Sequence, residues 1–173
     1  HTLCLEITSE SSPRELFFEV MVLPPNIIPT DFVRAPLLPA YMQEGDLLRN
    51  FAASAIQHLE NPDAETVVHC LYDALLEKKL MFQPVSARQY PDCQRIAAMS
   101  NVLEHGGCCA ELSLLFASLL RSVGQNPALL LFGDHMAAGC FPGTAPAFDV
   151  LSDPAHILQL AQRGELLLIE ITS

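Results

Sequence analysis

The chain has 173 residues, half of them apolar, which is enough for one domain with a substantial buried core. A charged fraction of 17% excludes an intrinsically disordered chain. Twenty Asp and Glu residues against nine Lys and Arg residues give a formal net charge of -11, which argues against direct nucleic-acid binding through phosphates.

The cysteines and the apolar runs bear on the cellular location. Six cysteines are too few for a disulfide scaffold, and a bridge between the adjacent Cys108 and Cys109 would be strained. We therefore expect reduced thiols and a cytoplasmic location. No apolar run approaches the roughly 18–20 residues that span a bilayer, so we expect no membrane association. The chain begins at His1 rather than Met and ends after an apolar run, which indicates a domain of a longer multidomain protein.

The first 40 residues are predicted to differ from the rest. Residues 3–7 and 15–23 have the pattern of strands. Five prolines lie within residues 24–39 and predict an extended connector, because proline disfavours helix interiors and central strands. We interpret residues 1–40 as N-terminal strands plus a Pro-rich connector, compatible with the tail of an upstream β domain, and residues 41–173 as the main domain.

Helical periodicity begins in the next segment. The first helix is predicted to start with Asp46 as its N-cap and to bury a face that includes Leu47 and Leu48. The second is predicted to bury a stripe that includes Leu76. A third helix is predicted over residues 92–103.

The central helix has the clearest pattern in the chain. It opens after Gly107 and closes at Gly124, and its apolar residues follow the spacing of one buried face: Leu112, Leu115, Phe116, Leu119 and Val123. Further elements are predicted as strands at 128–132, 135–141 and 166–171, and a helix at 154–163. This order favours an α+β fold in which the central helix packs on an antiparallel sheet, with additional N-terminal helices.

A thiol at the start of this central helix is the strongest chemical signal. The positive end of the helix dipole and the free backbone N–H groups stabilise a thiolate there. A nucleophilic cysteine also needs a histidine as proton acceptor and a group that orients the histidine, and His135 and Glu170 follow in the chain. On spacing alone, packing is the more common role of such a cysteine.

Three blocks in this order resemble the transglutaminase-like superfamily. The first comprises 107–115 (GCCAELSLL) and 119–124 (LLRSVG), where a Gly and a Cys are followed by an acid and a Leu-rich helix that ends in Arg and Gly. The second, 133–141 (GDHMAAGCF), resembles the family's histidine strand, and the third, 168–172 (LIEIT), resembles its acid block. The resemblance covers residues 36–173 and is greatest to a bacterial subgroup in which the domain is one module of larger cytoplasmic proteins, some with helicase or nuclease modules.

The resemblance implies a papain-like core with a catalytic triad. The nucleophile would be Cys109 rather than Cys108, because the acidic residue of the motif, Glu111, lies two positions after Cys109. His135 would be the general base, and Glu170 would orient its imidazole. Asp149 is the rival for the orienting acid, while the Cys109 backbone N–H and the Gln94 side chain are the candidate oxyanion donors.

The implied activity is a cysteine-dependent acyl transfer on a peptide or protein substrate, most simply hydrolysis of an amide bond through a thioester. The chain departs from the family at Met136 and Ala137, where most relatives have an aromatic residue, and at Cys108, where a small or acidic residue is usual. These departures leave open an alternative, in which the domain is an inactive binding or scaffolding module of a larger protein. The His69–Cys70 pair and similar pairs do not have the spacing of zinc ligands, so neither a metal nor a cofactor is expected.

Overall fold

A computed structural model describes residues 2–7, 14–19, 24–30, 35–84, 93–133, 135–144 and 151–172. The elements within these ranges are β1 (Thr2–Ile7), β2 (Arg14–Glu19), β3 (Ile27–Pro29), a 3-10 helix (Ala35–Tyr41), α1 (Asp46–Ile56), α2 (Ala64–Glu77), β4 (Cys93–Arg95), α3 (Met99–His105), α4 (Cys109–Ser122), β5 (Asn126–Phe132), β6 (His135–Phe141), α5 (Pro154–Gln162) and β7 (Leu167–Ile169). The mixture of helices and small antiparallel sheets confirms the α+β class. None of the described helices is long and apolar enough to cross a membrane.

Helix α4 is the centre of the fold. Residues 112–120 are all buried, so this helix is covered on every side rather than along one stripe. The antiparallel sheet β5-β6-β7 covers one side, and α1, α2 and α3 pack around the others. The predicted packing of a central helix on an antiparallel sheet is therefore confirmed.

The three-stranded sheet consists of a hairpin, β5 and β6, and a third strand, β7, which pairs antiparallel with β6. Strands β5 and β6 pair from Phe132 opposite His135 to Asn126 opposite Phe141, and β7 pairs with residues 138–140 of β6. The structure confirms the predicted 135–141 strand at both ends, whereas β7 is shorter than the predicted 166–171 strand. Helix α5 also lies where a helix was expected. This register brings the end of β7 close to the start of β6.

The predicted faces of α1 and α2 need correction. Asp46 is the first helical residue of α1 rather than its N-cap, which is Gly45, and its carboxylate pairs with Arg49 at 2.7 Å. Leu47 is 48% exposed and Leu76 is 54% exposed, although both were predicted to be buried. On each of these helices the apolar residues extend beyond the side that is buried, because α4 and the neighbouring helices cover only one side of each.

The predicted helix over 92–103 is wrong in its first half. Residues Cys93–Arg95 form β4, which pairs with β3, and the helix begins only at Met99. Pairing with a distant segment overrides the local helical pattern here. Strand β3 and the 3-10 helix also occupy part of the predicted Pro-rich connector, and Ile28 and Leu38 belong to the main core. The division of the chain at residue 40 stays a prediction.

Candidate active site at the start of helix α4

The backbone between α3 and α4 makes a sharp turn beside a second chain segment. Gly106 has a φ of 82°, and a Cβ built there would lie 2.0 Å from the Met81 carbonyl oxygen. The next residue, Gly107, donates its N–H to Met81 at 3.1 Å and accepts from the Gln83 N–H at 2.9 Å. Glycine is required at position 106, both for the left-handed conformation and for this close approach.

Cys108 is the N-cap of α4 and is buried. It forms a capping box with Glu111: the sulfur accepts from the Glu111 backbone N–H, and the Glu111 carboxylate accepts from the Cys108 N–H at 2.9 Å. The Gln94 side chain donates to the same sulfur at 2.8 Å. Burial, with a further contribution from the Glu111 carboxylate, raises the pKa of Cys108 to about 11, against the lowering effect of the hydrogen bonds from the Glu111 backbone N–H and the Gln94 side chain. Cys108 is therefore a neutral thiol near neutral pH and has a structural role.

Cys109 is the first helical residue and is only partly buried. One turn later on the same face, the buried Ser113 hydroxyl donates to the Met136 carbonyl oxygen at 2.9 Å. Met136 directly follows His135 and is the first buried residue of β6, with Ala138 buried further along the strand. The Ser113 hydrogen bond therefore lies at the end of the α4–β6 interface that contains His135. Cys109 lies one turn before Ser113, about 6 Å towards the start of α4.

His135 and Glu170 form a direct pair, with His135 Nε2 and Glu170 Oε2 2.8 Å apart. Thr172 donates to the other carboxylate oxygen from its backbone N–H at 2.9 Å and from its hydroxyl. Partial burial would raise the pKa of Glu170, but the hydrogen bonds from Thr172 and His135 lower it to about 2. An ionised carboxylate can only accept, so Nε2 of His135 carries the donated proton, and Nδ1 is the other ring nitrogen.

The remaining predicted site residues lie elsewhere. Asp149 is outside the described residues. Gln94 contacts the sulfur of Cys108 rather than of Cys109. His69 lies 3.9 Å from Glu65 on the same helix, and the described side chains contain no group of three or more His, Cys, Asp or Glu residues that could hold a metal ion.

Two functional contacts were missed by sequence reasoning. Glu111 was named only as the acidic residue of the motif, yet its carboxylate accepts from the Ala97 N–H at 2.7 Å. Ser113 was noted only as part of a motif, although it connects α4 to β6. The capping box could have been found from the Cys108-x-x-Glu111 spacing, since cysteine can replace serine as a weak acceptor.

The chain matches no protein-family model, and the searches of curated proteins and of solved structures return no match.

Proposed function

We propose that the chain is a transglutaminase-like, cysteine-dependent acyl-transfer domain with a papain-like core. Cys109 is its nucleophile, His135 its general base and Glu170 the residue that orients the imidazole. The observation that carries the proposal is the His135–Glu170 pair at 2.8 Å, located at the start of β6, where the Ser113 hydroxyl of α4 donates to the next residue, Met136. A partly exposed thiol at a helix start, a histidine and an ionised carboxylate are the three groups that this chemistry requires.

The two adjacent cysteines are assigned different roles by their surroundings. Cys108 is 3% exposed, and its thiol is kept neutral by burial. A neutral, enclosed sulfur is a poor nucleophile. Cys109 is only partly buried and is the first residue of α4, so it is open to a substrate on the side that Cys108 is not. Both features support Cys109 as the attacking residue.

The proposed reaction proceeds through a thioester. Cys109 Sγ attacks the carbonyl carbon of an amide while His135 holds the thiol proton, and the Cys109 N–H stabilises the oxyanion. The C–N bond then breaks, and the leaving amine takes the proton from His135. Water attacks the thioester with His135 as base, which releases a carboxylic acid and the free thiol. Water needs no second binding site, so we take hydrolysis as the reaction and transfer to an amine as its variant.

A covalent-trapping experiment tests this proposal. The chain is treated with 4-nitrophenyl acetate near neutral pH, and the acylated residue is identified by mass spectrometry of peptides, with hydroxylamine release as proof of a thioester. We expect one acetyl group on Cys109 in the wild type and in the matched control Cys108→Ser, and none at that position in Cys109→Ser. His135→Ala should slow acylation by about 100-fold or more.

An acyl group that is absent from Cys109, or that spreads over the other thiols at equal rates, would refute the catalytic assignment. The chain would then be assigned to the alternative class, a binding or scaffolding module that keeps the fold without using the thiol.

A further inference from the structure

Residues 81–83 form a short extended segment beside the turn that precedes α4. Gly107 donates its N–H to the Met81 carbonyl oxygen at 3.1 Å and accepts from the Gln83 N–H at 2.9 Å. Phe82 therefore lies opposite Gly107 in a parallel bridge. These hydrogen bonds fix one edge of the segment to the turn.

The opposite edge of residues 81–83, which we call the 81–83 edge, is unpaired in the part of the chain that the structure describes. Both bonds to Gly107 come from the residues that flank Phe82, so the N–H and carbonyl groups of Phe82 itself point to the other side. Neither group has a hydrogen-bond partner among the described residues. A residue with a free donor and a free acceptor on one side can exchange two hydrogen bonds with one residue of an antiparallel strand.

The side chains at the 81–83 edge are large, apolar and exposed. Met81 is 71% exposed and Phe82 is 47% exposed. Successive side chains of an extended chain point to opposite faces, so an added strand would find an apolar partner on each face. Cross-strand pairs between aromatic and β-branched side chains stabilise sheets. The edge therefore favours a segment that contains β-branched or aromatic residues.

Two lysines precede the 81–83 edge in a strongly acidic chain. Lys78 and Lys79 are the only lysines of a sequence with a net charge of -11, and both are exposed. The Lys78 ammonium lies 5.7 Å from the centroid of the Phe51 ring, whereas the Lys79 side chain has no ion-pair partner among the described residues. From residue 77 to residue 83 the only acid is Glu77, so this stretch carries a local excess of positive charge. Charges beyond a Debye length of about 8 Å are screened, so an acidic side chain beside Lys79 is favoured in spite of the net charge.

Two features limit pairing at the 81–83 edge. Pro84 follows directly and has no N–H, and Lys79 lies near the other end. Proline and lysine are typical of edges that are protected against extended pairing. The edge therefore suits a short peptide segment, held by one pair of hydrogen bonds at Phe82, better than a long strand. A second copy of this chain is also disfavoured, because each copy has a net charge of -11.

We infer that the 81–83 edge is a docking site for an extended peptide segment of another protein, which is added as a short antiparallel strand. The segment has a β-branched or aromatic residue opposite Phe82 and acidic residues on the C-terminal side of it. An antiparallel segment runs in the direction from residue 83 to residue 79, so its C-terminal part lies beside Lys79. The inference goes beyond the proposed acyl transfer and does not depend on it.

Titration of the whole chain with a synthetic peptide, followed by NMR of the backbone amides, tests this inference. The probe is acetyl-Thr-Thr-Val-Thr-Asp-Glu-amide, whose valine is placed opposite Phe82 and whose glutamate then lies opposite Lys79. One control peptide has an N-methylated valine, which cannot donate to the Phe82 carbonyl oxygen, and another has the reversed sequence. The protein variants are Phe82→Ala and Lys79→Gln, with Phe132→Ala as the matched control, because Phe132 on β5 is similarly exposed at 51%.

We expect the Phe82 amide signal to shift on binding, and the N-methylated peptide to bind about tenfold more weakly, because one hydrogen bond is lost and its acceptor is left unpaired. Phe82→Ala should weaken binding of the probe by about fivefold through the lost cross-strand contact. Lys79→Gln, and the reversed peptide on the wild type, should each weaken binding by about threefold at low salt and less at high salt. Phe132→Ala should match the wild type.

Equal binding of the probe and its N-methylated form would overturn strand addition, and equal binding of the reversed peptide would overturn the orientation. An unshifted Phe82 signal at millimolar probe, or equal losses in Phe82→Ala and Phe132→Ala, would overturn the site itself. Sedimentation equilibrium without peptide tests the other occupant: a dimer that Phe82→Ala dissociates would assign the edge to a second copy of this chain. None of these measurements involves the reactivity of Cys109, so a failure of the proposed acyl transfer would leave their outcome unchanged.

Discussion

Replacing Ser113 by alanine should remove the hydrogen bond that joins α4, which carries Cys109, to β6, which carries His135. The Ser113 hydroxyl is buried, with the residue 1% exposed, and it joins α4 to the Met136 carbonyl at 2.9 Å. Its removal leaves a buried carbonyl without this donor, which costs about 1–3 kcal/mol. For a chain of this length, about 2 kcal/mol corresponds to a Tm decrease of about 4–8 °C. Thermal unfolding followed by circular dichroism measures this loss.

A second buried serine on the same helix provides the matched control. Ser118 is also 1% exposed, and its hydroxyl donates to Leu114 at 2.6 Å and accepts from the Gln43 N–H at 3.0 Å. Ser118→Ala should therefore reduce the Tm by a similar amount. These two hydrogen bonds are with α4 itself and with the residues just before α1, and neither involves β6.

The two variants should differ in the reactivity of Cys109. Without the Ser113 hydrogen bond, the first turns of α4 are no longer joined to the start of β6, where His135 lies. Misplacement of reacting groups by about 1 Å can reduce the reaction rate by up to about 100-fold. We expect acylation of Cys109 to fall by at least about tenfold in Ser113→Ala and to be unchanged in Ser118→Ala. Equal acylation rates in the two variants, at matched loss of stability, would refute the reasoning.

Three further predictions concern stability. Glu170→Gln should reduce the free energy of unfolding above pH 4.5, the ordinary pKa of a glutamate. The difference from wild type should disappear as the pH falls to about 2, because the pKa of Glu170 in the folded state is lowered to that value. Urea unfolding across this pH range measures the difference, and a difference that does not change with pH would contradict the prediction. The wild type should lose stability between pH 9.0 and about 11, because the Cys108 thiol ionises at lower pH in the unfolded chain than in the folded one, where its pKa is raised. Urea unfolding of Cys108→Ser should show a smaller loss over the same range. An identical loss in both proteins would contradict the raised pKa of Cys108. Gly106→Ala should reduce the free energy of unfolding, measured with urea, by about 2–4 kcal/mol, since a Cβ would lie 2.0 Å from the Met81 carbonyl oxygen. The control Gly124→Ala has a φ of 77° and no atom within 4 Å of its Cβ, so it should cost only the backbone strain of about 1–2 kcal/mol. Equal costs would show that the close approach at Gly106 is unimportant.

The elements predicted most accurately are those whose local signals agree with one another. Helix α4 begins at Cys109 and ends at Ser122, close to the glycines that were taken as its limits. The buried strand β6 was predicted at both ends because a turn precedes it and prolines follow. The segment 92–103 failed because β4 is formed by pairing with β3, a partner far away in the sequence. Such pairings leave no periodic trace in the segment itself.

The candidate site was predictable in part for the same reason. The residues of the proposed triad came from short motifs, and the structure brings His135 to Glu170 through strand pairing between β6 and β7. The connection from Glu111 to Ala97 could not be predicted, because it requires residue 97 to lie outside a helix, with its N–H available. The different environments of Cys108 and Cys109 likewise depend on burial, which the sequence of two adjacent identical residues does not distinguish.

The most direct test of the central claim is the rate at which iodoacetamide alkylates each cysteine near neutral pH, measured by peptide mass spectrometry. Cys70 is the internal reference, because it is partly buried like Cys109 and lies on α2. We predict that Cys109 reacts at least about tenfold faster than Cys70, and that His135→Ala removes this advantage. Equal rates at Cys109 and Cys70 in the wild type would contradict the assignment of Cys109 as an activated nucleophile.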